Sequence, residues 1–130
     1  MGRVIQKDFV NIDMRVDSPR ILLDVTKPVF LIEGPSYPED ALEVYECVLT
    51  WIKNCIYNIK DQLNCEFKFN VLSSASRKLI QEILFMLEKA HRINKNIKIL
   101  WYFNEDDEDM RDAGEDLMEN INLPFDMICC

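Results

Sequence analysis

Residues 67–103 decide the fold, and they read FKFNVLSSASRKLIQEILFMLEKAHRINKNIKILWYF. At their start, Phe67, Phe69 and Val71 alternate with polar residues, which is typical of a strand with one buried face. Apolar residues then recur every three or four positions, as in an amphipathic helix. Alternation returns over residues 97–103. A strand, a helix and a second strand predict a right-handed crossover between parallel strands.

The chain before this unit predicts a hairpin followed by a long helix. Residues 21–24 and 29–33 are short apolar runs that read as two strands, with Gly34-Pro35 ending the second. The pattern Ser36-Tyr37-Pro38-Glu39 is that of a capping box with proline in the first turn. We therefore expect a helix from this point to about Lys60.

The chain after this unit predicts a third helix and a last short strand. An apolar stripe continues through the acidic residues 104–120, Pro124 ends that helix, and residues 125–128 can form a strand. The predicted fold is α/β: a single small domain whose mixed sheet has an N-terminal hairpin and βαβαβα crossovers. We expect residues 1–17 to be an N-terminal arm or edge strand and residues 18–130 to be the domain.

The net charge of −8 comes from one segment. Of the 23 acidic and 15 basic residues, residues 104–120 hold nine acids and one base, so the rest of the chain is neutral. Without a basic tract we expect no binding to nucleic acid or to an anionic membrane surface, because contacts to phosphate need cations. Five cysteines without a CxxC pair, and no secretory signal, favour a cytoplasmic protein.

Few residues suggest catalysis. The one histidine, His91, has no second histidine or nucleophile motif beside it, so we interpret it as a structural side chain near a helix end. The three glycines are too few and too scattered for a glycine-rich phosphate loop. We therefore expect a protein that is not an enzyme and that needs no cofactor.

The acidic run from Glu105 to Asp109 has three interpretations. Carboxylates can bind a hard cation, although the run lacks the spacing of an EF-hand loop. Acids in the first turn of a helix also stabilise it through the helix dipole, by about 0.3–1 kcal/mol each. The run could finally face a partner. We expect no metal site and keep an acidic metal-binding protein as an alternative.

A serine cluster lies between a predicted strand and the central helix. Ser73, Ser74 and Ser76 are well placed to cap that helix, since a hydroxyl there can accept a backbone N–H. A phosphate at the same place would gain the unpaired N–H groups, the positive end of the helix dipole and the neighbouring cations Arg77 and Lys78. A cap hydroxyl can also be a phosphoacceptor, so both interpretations can hold.

Several short motifs occur in a fixed order from about Ser18 to Phe125. They are Ser18-Pro19-Arg20-Ile21, Gly34-Pro35-Ser36-Tyr37-Pro38-Glu39, the serine cluster, Trp101-Tyr102, Glu105-Asp106-Asp107-Glu108-Asp109-Met110, Gly114-Glu115 and Leu123-Pro124-Phe125. In this order and spacing they resemble the SiaC family of bacterial regulatory phosphoproteins. The resemblance covers most of the chain.

The resemblance implies both a fold and a function. The fold would be similar to the anti-sigma-factor antagonist (STAS-like) domain. The function would be non-enzymatic signalling, in which a protein kinase and a PP2C-type phosphatase add and remove a phosphate. The unphosphorylated form would bind and activate a diguanylate cyclase, raising cyclic di-GMP and promoting biofilm or aggregation, and phosphorylation would stop that activation.

The family's acceptor threonine corresponds to Ser74, with Ser73 and Ser76 as alternates. Serine replaces both the asparagine and the threonine of the family's Asn-Thr-Ser-Ser pattern, but Ser74 keeps a hydroxyl. We expect a partner to bind where two helices begin after strands, because both starts should lie at one side of the sheet. The predicted partner-binding residues are Ser36, Tyr37, Glu39, Asp40, Arg77 and Lys78.

The partner leaves an alternative open. An anti-sigma-factor antagonist would share the fold and the serine switch while binding a different protein, so the sequence barely separates it from a cyclase activator. A relative of the family could also activate another signalling protein.

Overall fold

The computed structural model describes residues 2–130, which form one seven-stranded sheet and three α-helices. The strands follow chain order across the sheet, from β1 at one edge to β7 at the other. The elements are β1 (Arg3–Ile5), β2 (Phe9–Ile12), β3 (Arg20–Asp24), β4 (Val29–Ser36), α1 (Ala41–Cys55), β5 (Leu63–Leu72), α2 (Ser74–Asn94), β6 (Ile97–Phe103), α3 (Glu108–Met118) and β7 (Phe125–Cys129).

The sheet is mixed, as predicted. Strands β1 to β4 are antiparallel neighbours, and β4 to β7 are parallel and joined through the three helices. Asp24 closes the β3–β4 hairpin, where its carboxylate accepts hydrogen bonds from the N–H and hydroxyl of Thr26 at 2.8 and 2.7 Å. The predicted N-terminal hairpin and βαβαβα crossovers are confirmed, and residues 2–17 add two further strands.

The core lies between the sheet and the helices. Phe67 on β5 and Trp101 on β6 are neighbours in register, and their rings stack with centroids 5.9 Å apart. The indole N–H of Trp101 donates to the carbonyl of Met110 on α3 at 3.0 Å. A Cβ added at Gly114 would lie 2.5 Å from the same indole, so the glycine lets α3 approach β6 closely.

The opposite face of the sheet is half-exposed and held by polar contacts. Lys98 pairs with Asp126 at 2.7 Å, and the hydroxyl of Tyr102 donates to Glu66 at 3.1 Å. The ammonium of Lys68 lies 4.5 Å from the centre of the Tyr102 ring. These side chains alternate with the buried ones along the same strands, so one face builds the core and the other meets solvent.

The prediction that Gly34-Pro35 ends the second strand is wrong. Strand β4 continues to Ser36, with a shift of register against β5 between Gly34 and Pro35. Gly34 has a φ of 118°, a conformation that glycine adopts without strain. A bulge of this kind accommodates Pro35, which lacks an N–H for the ladder.

The predicted capping box at Ser36 is also wrong. Asp40 caps α1, and its carboxylate accepts from the N–H of Glu43 at 3.2 Å. The helix ends at Cys55 and continues only as a short 3₁₀ turn, Ile56–Asn58, rather than reaching Lys60. Ser36 is therefore the last residue of a strand and faces the core.

Candidate functional site

The starts of α1 and α2 lie together at one end of the sheet. The parallel strands β4 and β5 end side by side, with Ser36 opposite Leu72. The N–H of Ser73 donates to the carbonyl of Ser36 at 2.8 Å and joins the two strand ends. The expectation that both helix starts lie on one side of the sheet is confirmed. This arrangement of the two strand ends brings residues 36–40 close to the serine cluster.

The serine cluster forms the first turn of α2. Ser73 is the N-cap, and its hydroxyl accepts from the N–H of Ser76 at 3.1 Å. Ser74 is the first helical residue, and it is exposed. A helix start leaves several N–H groups without an intrahelical partner. In the part of the chain that the structure describes, those of Ser74 and Ala75 have no hydrogen-bond acceptor. The capping interpretation is confirmed, and it leaves the Ser74 hydroxyl at the surface.

Three buried hydroxyl groups meet behind this turn. The hydroxyls of Ser36 and Tyr45 are 2.6 Å apart, and Ser36 also donates to Ser76 at 2.7 Å. All three residues are fully buried. Burial raises the pKa of Tyr45, and its hydrogen bonds with Ser36 and Ser76 act in the opposite direction. The network ties α1, β4 and α2 together and withdraws two predicted site residues, Ser36 and Ser76, from solvent.

The cations beside the cluster differ in their environment. Lys78 is exposed, whereas the guanidinium of Arg77 lies 3.1 Å from the carboxylate of Asp116 on α3. A cavity of about 330 Å³ opens between α2 and α3 at this point. Its lining residues are Ser74, Arg77, Lys78, Gln81 and Leu117. Sequence reasoning placed Arg77 near the acceptor but missed Asp116, because the two are 39 positions apart.

The predicted partner-binding residues before α1 reach the surface apart from Ser36. Tyr37 is 46% exposed, and its hydroxyl donates to the carbonyl of Val16 at 3.0 Å. Glu39 and Asp40 are exposed at the mouth of a cleft of about 330 Å³ between α1 and the N-terminal segment. Other charged residues of this cleft are Arg3, Asp13, Arg15, Asp17 and Glu43. The role of these residues in binding stays a prediction.

The acidic run begins α3. Asp107 is the N-cap, and its carboxylate accepts from the N–H of Met110 at 2.9 Å. Glu108 and Asp109 occupy the first turn, where negative charge stabilises the helix dipole. Within residues 2–130, no three His, Cys, Asp or Glu side chains are arranged to hold a metal ion. Helix capping and the helix dipole therefore explain three acids of the run, Asp107, Glu108 and Asp109.

His91 lies at the other end of α2. Its Nδ1 accepts a hydrogen bond from the N–H of Ile97 at 3.1 Å, so the side chain joins the helix end to β6. Desolvation and the nearby Lys95 lower the pKa of His91, which favours the neutral form that can accept this bond. The structural interpretation of His91 is confirmed.

Comparison with known proteins identifies the family. A sequence model described as SiaC family regulatory phosphoprotein matches residues 12–130. The chain belongs to the SiaC family. An uncharacterized protein of Pseudomonas aeruginosa (strain UCBPP-PA14) is 26% identical over 94 residues, which cover 72% of this chain and 75% of that protein.

Solved SiaC structures have the same fold. A chain in the crystal structure of the diguanylate cyclase SiaD in complex with its activator SiaC, from Pseudomonas aeruginosa, matches with a TM-score of 0.86 and 23% identity. The match covers 92% of this chain and 98% of that one. Apo-SiaC from the same organism matches with a TM-score of 0.83 and 23% identity, over 93% and 98% of the two chains.

Helices that cross a lipid bilayer need about 20 mostly apolar residues each. Among the helices described between residues 2 and 130, none combines the length and apolar character needed to cross a membrane.

The likeness to the anti-sigma-factor antagonist fold stays a prediction.

Proposed function

We propose that this SiaC family member is a non-enzymatic signalling protein that is switched by reversible phosphorylation at Ser74. Its unphosphorylated form binds and activates a diguanylate cyclase and thereby raises cyclic di-GMP. The observation that carries the proposal is the exposed hydroxyl of Ser74 in the first turn of α2, within the stretch that matches the family. The fold shared with SiaC, the activator of SiaD, supports the choice of partner.

Two partner enzymes operate the switch by transferring a phosphoryl group, first from ATP to Ser74 and later from Ser74 to water. In the kinase, the Ser74 oxygen attacks the γ-phosphorus of ATP, ADP leaves, and the hydroxyl proton passes to a base of the kinase. In the PP2C-type phosphatase, water attacks the same phosphorus, and the products are inorganic phosphate and the restored hydroxyl. The accessible Ser74 suits both reactions better than the buried Ser76 or the capping Ser73.

The phosphate would change the surface where the partner docks. It adds nearly two negative charges and three acceptor oxygens. The free N–H groups of Ser74 and Ala75 and the helix dipole favour it. The exposed ammonium of Lys78 would then pair with the phosphate and would no longer be free to bind the cyclase. We infer that cyclase binding is lost for this reason, with Tyr37, Glu39 and Asp40 forming the neighbouring part of the docking surface.

Residues 18–130 act as the regulatory domain, and the preceding N-terminal arm contributes β1 and β2 to its sheet. The protein works in the cytoplasm with protein partners, without a cofactor, nucleic acid or membrane surface.

Site-resolved mass spectrometry tests the acceptor. The chain is incubated with its cognate kinase and ATP, then digested, and the phosphorylated position is assigned. We expect phosphate on Ser74, its loss in Ser74→Ala and its persistence in Ser73→Ala, which keeps the neighbouring hydroxyl. Phosphate confined to positions outside residues 73–76 would reject the site.

Cyclic di-GMP synthesis tests the partner. Ser74→Ala should activate the cognate cyclase as the unmodified chain does, whereas Ser74→Asp should bind and activate it less. Equal activation by both variants would reject the switch. Recovery of an anti-sigma factor in place of a cyclase from the native cell would reject the proposed partner.

A further inference from the structure

Two polar contacts hold the C-terminal half of α3 to the first turns of α2. The guanidinium of Arg77 pairs with the carboxylate of Asp116 at 3.1 Å. The side-chain amide of Gln81 donates to the carbonyl of Leu117 at 3.4 Å. Both contacts border the cavity that Ser74 also lines. A change of charge at Ser74 therefore occurs beside the attachment of α3.

We infer that phosphorylation of Ser74 moves the Arg77 guanidinium from Asp116 to the phosphate, and that this exchange loosens α3 from α2. The inference rests on the proposed phosphorylation of Ser74 and goes beyond it. Arg77 acts as a phosphate-binding residue, Asp116 is the acid that it leaves, and α3 is the element that responds.

The spacing of the residues allows the exchange without rebuilding the backbone. Ser74 and Arg77 are three positions apart on α2, and such residues are neighbours on a helix surface. Both line the same cavity, and on α3 it is lined by Leu117, the residue after Asp116. Rotation about the side-chain bonds of Arg77 is enough to choose between a partner on its own helix and one on α3.

The balance of charge favours the phosphate. The side chains of Arg77 and Asp116 are 40% and 67% exposed, so water screens the pair and the attraction is weak. A phosphate offers nearly twice the charge of a carboxylate and can bind a guanidinium through two oxygens. It is also held in place by its covalent bond to the helix start, whereas Asp116 belongs to a different element.

When the Arg77 guanidinium moves away from Asp116, the negative charge of α3 is less well compensated. Arg111 is the one base in residues 104–120, and it already lies near Asp112 and Glu115, at 3.6 Å from each. The new phosphate would repel Asp116 as well. Both effects weaken the contact between α3 and α2, so the acidic helix would differ between the two forms of the protein.

Hydrogen exchange on protein carrying phosphoserine at position 74 tests the exchange of partners. Genetic encoding installs the phosphoserine without the kinase, and mass spectrometry follows the amides of α3. We expect phosphorylation to raise exchange in α3 about twofold to fivefold, the range set by losing one exposed ion pair. Unphosphorylated Asp116→Asn should show a similar rise, and phosphorylation of that variant should add nothing further.

Asp112→Asn is the matched control. It lies on the same helix with similar exposure, 61% against 67%, but its cation is Arg111 of α3 itself. This variant should keep the full response to phosphorylation. Unchanged exchange in phosphorylated α3, or an equal further rise in Asp116→Asn, would overturn the inference. Neither kinase nor cyclase takes part, so the assays of the proposed function fail or succeed separately.

Discussion

At the scale of single residues, local patterns indicated the right region but not the contacts within it. Ser36 was predicted to cap a helix, and Tyr45 lies within that predicted helix, yet their hydroxyls bond to each other in the core. Ser76 read as an alternate phosphoacceptor, yet it completes the same network from 40 positions away. Bonds between hydroxyls on different elements leave no periodic signal, so the sequence alone could not predict them.

The Tyr45→Phe variant tests the energetic role of this network. Removing the hydroxyl leaves Ser36 buried with one hydrogen bond fewer, which should lower the free energy of unfolding by about 1–3 kcal/mol. Urea denaturation measures the change. Tyr37→Phe is the control, because its hydroxyl bonds at an exposed position and should cost less. Equal losses in the two variants would contradict a special role for the buried network.

At the scale of elements, the periodicity of apolar residues predicted the central unit. It did not predict an element boundary that depends on pairing with a distant strand. Helix α2 and strand β6 were predicted because apolar residues repeat at the helical and strand periods over many positions. The end of β4 was missed because Gly34-Pro35 is locally a strand breaker. Pairing with β5 carries the strand through a bulge to Ser36, and no local pattern reports that pairing.

Substitution of Gly114 tests how α3 packs on the sheet. Alanine there would place its Cβ 2.5 Å from the indole of Trp101, so α3 must shift and overpack the core. We expect Gly114→Ala to lower the free energy of unfolding by about 1–3 kcal/mol despite the better helix propensity of alanine. The neighbouring exposed Glu115→Ala should change it by no more than about 0.5 kcal/mol. A stabilised Gly114→Ala would refute the close approach.

The pH dependence of stability tests the end of α2. The pKa of His91 is lowered in the folded protein, so the unfolded chain binds more protons than the folded one below its ordinary pKa of about 6.5. The contribution of His91 to stability is therefore full above that pH and is lost as the pH falls through the folded-state pKa. Denaturation curves should show that, between pH 7 and 5, the free energy of unfolding falls less in His91→Gln than in the unmodified chain. Identical pH profiles for the two proteins would contradict this account.

At the scale of the whole molecule, the structure shows where the acidic segment of the sequence lies. Of the nine acids in residues 104–120, seven cap α3 or lie on it, and α3 packs on β6 and contacts α2 through Asp116. The order of elements and the resemblance to the SiaC family were readable because both depend on patterns along the chain. The proximity of α3 to Ser74 depends on sheet order and crossover, so it emerged only from the fold.

The proposed function requires that Ser74 controls the activity of a partner enzyme. The most direct measurement is cyclic di-GMP synthesis by the cognate diguanylate cyclase in the presence of this chain, unmodified or carrying phosphoserine at position 74. The unmodified chain and Ser74→Ala should both stimulate synthesis, and the phosphorylated chain should leave it at the basal rate. Equal stimulation by the phosphorylated and unmodified chains would contradict the central claim.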